Sequence, residues 1–293
     1  MRVLVTGAGG LLGGRLAACL HERGLDVVAV HRRTPPPDGP HAVAADLLAD
    51  GALDRLLDAE RPQGVVHAAV LGRADLCQER PADARATNAL LPGRVAAACA
   101  GRGIRLVALS TDLVFGGEAP PYRESDPTRP LGVYGLTKAE GERSVLDAFP
   151  GAAIGRVALV YGRGHGARGT ASESVAWALR AGRRVQLFTD EYRTPVDAWS
   201  VADAAFRMLA RPARGLFHLG GPERLSRWEL GVRVARALGL PEAGLTPGVR
   251  ADYQGQDPRA ADVSLDNEKA RRELGWEPRA IDEAVREGRP GPA

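Results

Sequence analysis

Two residues in this chain have the spacing and the chemistry of a catalytic pair. Tyr134 and Lys138 stand four positions apart in a segment with helical periodicity, so both side chains would lie on one helix face. A phenol titrates at about pH 10 in water, and a nearby ammonium group favours its ionised form. The tyrosine could then exchange a proton with a substrate oxygen near neutral pH. Lysine occurs only at 138 and 269 among 39 basic residues, so a chance pairing is improbable.

A glycine-rich turn near the N-terminus predicts a phosphate site. Arg2–Thr6 reads as a buried strand, and Gly7, Gly10 and Gly13 follow it before an apolar helical pattern and a second strand. In such a unit the first glycine permits the turn, the second lets backbone approach a pyrophosphate, and the third lets the helix pack closely. Free N–H groups at the helix N-terminus would hold the phosphates. The predicted dinucleotide contacts here are Gly7, Gly10, Leu11, Leu12 and Gly13.

The end of the second predicted strand indicates which dinucleotide is preferred. Arg32 and Arg33 stand there, and no acidic residue is present to accept hydrogen bonds from an adenosine ribose 2′-hydroxyl. Two guanidinium groups suit a 2′-phosphate by charge and by geometry. The sequence therefore favours NADPH over NADH, with two solvated surface arginines as the alternative interpretation.

The third and fourth predicted strands end in further candidates for cofactor binding. Asp46 and Leu47 follow the third strand, where Asp46 could face the adenine or cap the next helix. Ala68 and Ala69 end the fourth strand, and their small side chains would let a flat ring lie close. His67 has no carboxylate partner nearby in the sequence, so we interpret it as a structural residue.

A fifth predicted strand ends in hydroxyl and carboxyl groups. Thr111 and Asp112 follow Arg105–Ser110, and ligands of doubly wound sheets bind at the carboxyl ends of strands. A hydroxyl there can hydrogen-bond a substrate oxygen. Asn88 lies inside a helix predicted over 81–100, where it either supports active-site water or backbone or is simply exposed.

The alternation of strands and helices, including a sixth strand predicted over 153–160, predicts an α/β fold. We expect a Rossmann-type doubly wound parallel sheet with a small C-terminal α/β substrate lobe. The NAD(P)-binding domain is predicted over 1–160, with later segments able to return to it, and a mainly substrate-binding lobe over 161–288. Residues 289–293 are predicted to be a frayed tail.

Composition excludes several classes of protein. The net charge is +3, with basic and acidic residues interspersed, so nucleic-acid binding is not favoured. No apolar stretch reaches about 18 residues, and no signal segment precedes the first strand, so no membrane association is expected. Cys19, Cys77 and Cys99 lack metal-ligand spacing and predict core residues of a cytoplasmic protein without a metal site.

Three segments carry a resemblance to a known family: residues 6–13, 110–115 and 134–142. Together they look like an extended short-chain dehydrogenase/reductase of the dTDP-4-dehydrorhamnose reductase branch. The resemblance implies a catalytic triad of Thr111, Tyr134 and Lys138, with Lys138 also binding the nicotinamide ribose. It further implies NADPH-dependent reduction of a keto group on a nucleotide-linked sugar. A homodimer is a separate expectation for the assembly of the protein.

Two departures from that branch bear on the substrate. Ala158 and Leu159 stand where the branch usually has Ser-Trp, and its Asp-Gln-x-Gly-x-Pro segment appears as Asp-Glu-Tyr-Arg-Thr-Pro at 190–195. The arginine of this segment, Arg193, resembles a phosphate-contacting arginine of related epimerases. Asp112 and Arg193 are therefore the predicted substrate-binding residues.

Two other functions stay open beside the reductase. A nucleotide-sugar epimerase or dehydratase that retains its NAD(P) would use the same tyrosine and lysine. The other is a non-catalytic NADP-binding regulator similar to the β subunit of methionine adenosyltransferase. The intact set of Thr111, Tyr134 and Lys138 argues against the regulator.

Overall fold

The structure, a computed structural model, describes residues 1–165, 169–211 and 213–287 of the 293-residue chain. Its strands are β1 (Arg2–Thr6), β2 (Asp26–His31), β3 (His41–Ala44), β4 (Gly64–His67), β5 (Arg105–Thr111), β6 (Ala153–Val157), β7 (Val160–Tyr161), β8 (Val185–Phe188), β9 (Tyr192–Arg193), β10 (Val196–Asp197), β11 (Gly215–Leu219), β12 (Leu225–Ser226) and β13 (Leu245–Gly248). Seven of them form one parallel sheet in the spatial order β3-β2-β1-β4-β5-β6-β11. The predicted tail at 289–293 lies outside the described residues.

Chain order in the sheet reverses at β1, which pairs with both β2 and β4. In open parallel sheets the ligand crevice lies at the carboxyl ends of the strands, next to such a reversal. Thr6 at the end of β1 is in register with His67 at the end of β4. The predicted α/β class with a doubly wound parallel sheet is confirmed, and the reversal marks where a ligand would bind.

Helices cover both faces of this hydrophobic sheet. They are α1 (Leu11–Glu22), α2 (Ala52–Glu60), α3 (Ala74–Glu79), α4 (Pro81–Arg85), α5 (Leu91–Ala100), α6 (Val133–Ala148), α7 (Ala171–Arg180), α8 (Ala198–Ala210), α9 (Arg227–Leu238), α10 (Glu268–Leu274) and α11 (Ile281–Glu287). One apolar cluster joins Val3 and Val5 of β1 to α1, α8 and α10, and another joins Leu4 to α2, α5 and α6. No described helix is long and apolar enough to cross a bilayer.

Two predicted elements are divided in the structure. The helix expected over 81–100 consists of α4 and α5, separated by a π-helical turn at Ala86–Leu90. Gly141 of α6 packs so closely there that a Cβ on it would lie 2.2 Å from the carbonyl oxygen of Asn88. The strand expected over 153–160 ends at Val157 and resumes as β7, because Val160 pairs with Val196 of β10.

The chain beyond β6 divides between the sheet and a small lobe. Helix α8 packs on α1, and β11 pairs with β6, so both lie with the sheet. Within the described residues, the strand pairs β7-β10, β8-β13 and β9-β12 lie with α7, α9 and α11, which share an apolar cluster. Capping boxes of Thr170 with Glu173 and of Ser226 with Glu229 begin α7 and α9. The domain boundary near residue 160 stays a prediction.

Candidate active site

The glycine turn after β1 forms a cradle with no room for side chains. Gly7 has a φ of +72°, and a Cβ on it would lie 2.7 Å from Cα of Ala69. A Cβ on Gly13 would lie 2.2 Å from the carbonyl oxygen of Gly7. Helix α1 begins at Leu11 without a side-chain cap, so its first N–H groups are available to an anion. The cradle fits a pyrophosphate, which approaches backbone rather than side chains.

The turn contains one constrained residue that the sequence analysis missed. A Cβ on Gly9 would lie 2.1 Å from the carbonyl oxygen of Thr34, so the loop after β2 closes directly over the turn. Arg32 and Arg33 begin that loop and are exposed, with no ion-pair partner among the described residues. Arg32 and Arg33 therefore directly precede Thr34, the residue whose backbone contacts the cradle.

Asp46 and Leu47 differ in their surroundings. Asp46 is exposed, and its Oδ1 accepts a hydrogen bond from the N–H of Leu48 at 3.0 Å. It therefore caps a turn, and α2 begins later, after Gly51. Leu47 is buried in the apolar cluster beneath α2 and α5. A contact of either residue with an adenine stays a prediction.

His67 is held as a structural residue at the end of β4. Its Nδ1 lies 2.9 Å from Oγ1 of Thr6, which also accepts hydrogen bonds from the N–H groups of Ala68 and Ala69 at 3.1 Å. Burial, with a smaller contribution from the positive charge of Lys138, lowers the pKa of His67 to about 3. The imidazole is therefore neutral across the working range of pH, in agreement with its structural interpretation.

Asn88 is fully buried and supports backbone. Its Oδ1 accepts the N–H of Leu71 at 2.9 Å, and its Nδ2 donates to the carbonyl oxygen of the same residue at 3.2 Å. Its Nδ2 also lies 3.4 Å from Oγ1 of Thr137 on α6. Of the two interpretations of Asn88, support of backbone applies, because the amide ties the loop after β4 to α6.

Thr111, Tyr134 and Lys138 come together at the carboxyl end of β5. Thr111 is the last residue of β5, and Tyr134 and Lys138 lie in the first two turns of α6. The hydroxyl of Thr111 lies close enough to that of Tyr134 to donate a hydrogen bond that favours the phenolate and lowers the pKa of Tyr134. Nζ of Lys138 donates to the carbonyl oxygen of Leu109 at 2.7 Å. The lysine is thus anchored to β5, one helical turn from the tyrosine.

The site presents Tyr134 as a neutral phenol. Burial raises the pKa of Tyr134 to about 12, and the bond to Thr111 offsets part of that rise. Burial lowers the pKa of Lys138 to about 8, against the opposing charge of Glu142. That Lys138 favours the phenolate stays a prediction, while burial of the phenol favours its neutral form, which can donate a proton.

A buried ion pair lies one turn further along α6. Glu142 accepts hydrogen bonds from Nε and Nη2 of Arg156 at 3.0 and 2.7 Å, and both side chains are almost fully buried. Nη1 of Arg156 lies 3.3 Å from Nε2 of His218, whose Nδ1 lies 3.0 Å from the carbonyl oxygen of Tyr122. This network was not predicted from the sequence, although a glutamate four positions after Lys138 was a visible signal.

Asp112 and Arg193, the predicted substrate-binding pair, contact each other. Nη1 of Arg193 donates to Oδ2 of Asp112 at 2.9 Å, and Nη2 lies 3.5 Å from Oε1 of Glu191. Nε of Arg259 donates to the other carboxylate oxygen of Glu191 at 2.6 Å. Nε of Arg193 is buried without a partner. The two outer nitrogens of Arg193 are therefore committed to carboxylates of this chain.

A cavity of about 490 Å³ lies in the lobe between α7, β8 and the start of α9. Its lining includes Arg183, Arg184, Arg227 and Ser174. Burial lowers the pKa of Arg227 to about 10, and Asp112, Glu191 and Arg193 all act on it electrostatically. The cavity is thus rich in cations, and Arg227 couples it electrostatically to the Asp112–Arg193 pair. None of its arginines was predicted, because spacing alone does not distinguish them from surface arginines.

A parallel sheet with a glycine cradle at its reversal point, and a tyrosine–lysine pair on the helix after β5, defines an extended short-chain dehydrogenase/reductase. This is a class of NAD(P)-dependent oxidoreductases. The chain belongs to the RmlD substrate binding domain family, whose model matches residues 1–288.

Similar proteins support this assignment. A probable low-salt glycan biosynthesis reductase, Agl14 of Haloferax volcanii, is 34% identical over 94% of this chain and 93% of its own length. Methionine adenosyltransferase 2 subunit beta of Xenopus laevis is 30% identical over 92% of this chain and 81% of its own. The crystal structure of a dTDP-4-dehydrorhamnose reductase from Clostridium acetobutylicum has a TM-score of 0.86 and 25% identity, and 98% of each chain is covered.

Proposed function

We propose that the protein is an NADPH-dependent reductase of a keto group on a nucleotide-linked sugar. The observation that carries this proposal is the meeting of Thr111, Tyr134 and Lys138 at the carboxyl end of β5, on the same edge of the parallel sheet as the glycine cradle after β1. A reduction needs a proton donor at this point, and Tyr134 is in the donating form. The similarity to proteins named as reductases, Agl14 and the Clostridium acetobutylicum enzyme, supports the same reaction.

The residues around the crevice fit a dinucleotide. The backbone of the cradle would hold its pyrophosphate, the guanidinium groups of Arg32 and Arg33 its 2′-phosphate, and the chain at Ala68 and Ala69 a flat ring. Lys138 uses one of its three donors on Leu109, so the others can bind ribose hydroxyls. Bound NADPH supplies the hydride.

The chain itself supplies the proton for the reduction and the groups that position and stabilise the proton donor. Tyr134 donates its proton to the carbonyl oxygen of the substrate as negative charge develops there. The ammonium of Lys138 stabilises the phenolate that this transfer leaves. Thr111 lies beside the phenol and holds its hydroxyl in place for the transfer.

We expect the nucleotide part of the substrate to bind in the C-terminal lobe. Within 161–288, the cavity lined by Arg183, Arg184 and Arg227 offers cations to a diphosphate. Arg227 is also the first residue of α9, so the dipole of that helix adds to its charge. The substrate would then extend from this cavity toward Tyr134.

The test is oxidation of NADPH with a panel of nucleotide-linked keto sugars. We expect consumption of NADPH with at least one of them, and none with the free keto sugar, because the nucleotide supplies binding. Tyr134→Phe should lower kcat by about 10²- to 10⁴-fold while NADPH still binds. Undiminished turnover by Tyr134→Phe, or no consumption with any member of the panel, would contradict the proposal.

A regulatory role is the second candidate function. The specific observation in its favour is the 30% identity to methionine adenosyltransferase 2 subunit beta over 92% of this chain. It predicts a stable complex with a partner enzyme and no reductase activity. Size-exclusion chromatography with a methionine adenosyltransferase, run beside the NADPH assay, separates the two functions.

A further inference from the structure

Two departures from the reductase pattern meet each other in the structure. Glu191 and Arg193 stand where the branch has Gln and Gly, and their side chains lie 3.5 Å apart. Both are buried, at 1% and 7% exposure. A buried guanidinium needs a counter-charge, and here one is supplied by the residue two positions earlier. The two substitutions are therefore electrostatically matched.

The stronger bond of Arg193 is to Asp112 rather than to Glu191. Its Nη1 lies 2.9 Å from Oδ2 of Asp112, which is 2% exposed. Burial raises the pKa of Asp112, and the guanidinium opposes that rise by favouring the carboxylate. The other oxygen, Oδ1, accepts the hydroxyl proton of Thr111 at 3.2 Å. Arg193 is thus two hydrogen bonds away from Thr111, the residue that touches Tyr134.

A hydroxyl has one proton, so the group that accepts this proton decides whether Thr111 can donate a hydrogen bond to any other group. With that proton given to Asp112, Oγ1 of Thr111 can only accept hydrogen bonds. It accepts one from the N–H of Leu113 at 3.2 Å, and it no longer donates to Tyr134, where its donated hydrogen bond would lower the pKa of the phenol. Tyr134 then keeps its own proton, and an acceptor rather than a competing donor lies beside it.

We propose that Arg193 is a positioning residue: it holds Asp112 as a carboxylate, and Asp112 turns the hydroxyl of Thr111 so that Tyr134 acts as the proton donor. This inference rests on the proposed function and moves Arg193 from the substrate's phosphates to the catalytic triad. The other charged or titratable groups that act on Asp112 or Tyr134 are Glu191, Arg227 and the thiol of Cys77.

The test uses a paired variant that removes both new charges together. Glu191→Gln with Arg193→Gly restores the residues of the reductase branch and leaves Asp112 buried without its cation. We expect the affinity for dTDP or UDP, measured by calorimetry, to stay within about twofold, because Arg193 does not contact phosphate. The pH profile of kcat should gain an acid limb, because Asp112 without its cation binds a proton more readily.

Two further variants identify the group responsible. Adding Asp112→Asn to the paired variant should remove the new acid limb. Arg193→Lys in the otherwise wild-type protein keeps the positive charge, so its pH profile of kcat should stay close to that of the wild type. Weakening of dTDP and UDP binding by more than about tenfold, with an unchanged pH profile, would make Arg193 a phosphate ligand and overturn the proposal. Unchanged binding with an unchanged profile would overturn it as well.

Failure of the proposed function gives a different result. If the wild-type protein oxidises no NADPH with any keto sugar, the reductase assignment is wrong, and infrared titration of the Asp112 carboxyl still tests the inference. With Asp112→Asn as the blank, the paired variant should move this titration to higher pH. A titration that does not move means that Arg193 does not control Asp112.

Discussion

The two ends of the crevice are formed by different parts of the chain, main-chain atoms at one end and charged side chains at the other. At the cofactor end the chain supplies backbone: a Cβ on Gly7 or Gly13 would meet other backbone at 2.7 or 2.2 Å. At the substrate end it supplies buried charge, with Arg193 reaching Asp112 across 81 positions of sequence. The first end is defined by the side chains it lacks, and the second by the pairing of the side chains it has.

This difference predicts how each end responds to substitution. A backbone cradle tolerates no added atom, because its neighbours are main-chain atoms held by the strands and helix around them. A buried ion pair tolerates replacement of both partners, but removal of one leaves an uncompensated charge at a cost of about 3–5 kcal/mol. The predictions below test the two ends with matched controls.

The largest effect is expected where the two ends meet, at Lys138. Lys138→Met removes the charge that stabilises the phenolate and the donors to the ribose, so kcat should fall by on the order of 10²-fold or more. Lys269→Met is the matched control, because this other lysine donates to the carbonyl oxygen of Leu216 on β11. Equal losses of turnover in the two variants would contradict the role of Lys138.

Gly13→Ala tests the cradle. The added methyl group would lie 2.2 Å from the carbonyl oxygen of Gly7, so binding of NADPH should weaken by about 100-fold. Gly101→Ala is the control, since its φ is −63° and the nearest atom to its Cβ, the carbonyl oxygen of Ala97, lies at 3.5 Å. Fluorescence titration with NADPH measures both, and normal binding by Gly13→Ala would show that the cradle is not the phosphate site.

Glu142→Gln tests the ion pair below Lys138. Glu142 raises the pKa of Lys138 against burial, which lowers it to about 8. Removing that negative charge lowers the lysine pKa further, so the protonated form is lost at lower pH. The alkaline limb of kcat should therefore move to lower pH, and urea unfolding should show a loss of about 3 kcal/mol from the unpaired Arg156.

The control for this variant lies on the same helix. Glu140→Gln removes an equal charge from a partly exposed residue that pairs with Arg85. Its pH profile should match that of the wild type. A shift of the same size in both variants would mean that net charge, and not the position of Glu142, sets the pKa of Lys138.

The smallest effect is expected at the exposed arginines after β2. Arg32→Ala should weaken NADPH binding by about tenfold and leave NADH binding unchanged, because only NADPH carries the 2′-phosphate. Raising the salt concentration should shrink this difference, since the arginine is exposed. Equal weakening of both cofactors would place Arg32 elsewhere than at the 2′-phosphate.

The two ends also differ in how far sequence predicts them. The strand, glycine turn and helix at residues 2–22 are local, so their pattern shows both the fold and the cradle. The strand expected over 153–160 was wrong in its extent, because the pairing of Val160 with Val196 is not local. The pairing of Arg193 with Asp112 and the cavity around Arg227 were missed for the same reason. Charged residues distant in sequence reveal their partners only when the chain is folded.

The central claim is that hydride passes from NADPH to the substrate and stays there. The most direct measurement uses NADPH carrying deuterium at the transferred position, with a nucleotide-linked keto sugar and mass spectrometry of the product. We expect one NADPH to be oxidised for each product formed, with one deuterium in the new C–H bond of the sugar. Turnover of the sugar without net oxidation of NADPH would contradict it and indicate a hydride-retaining epimerase.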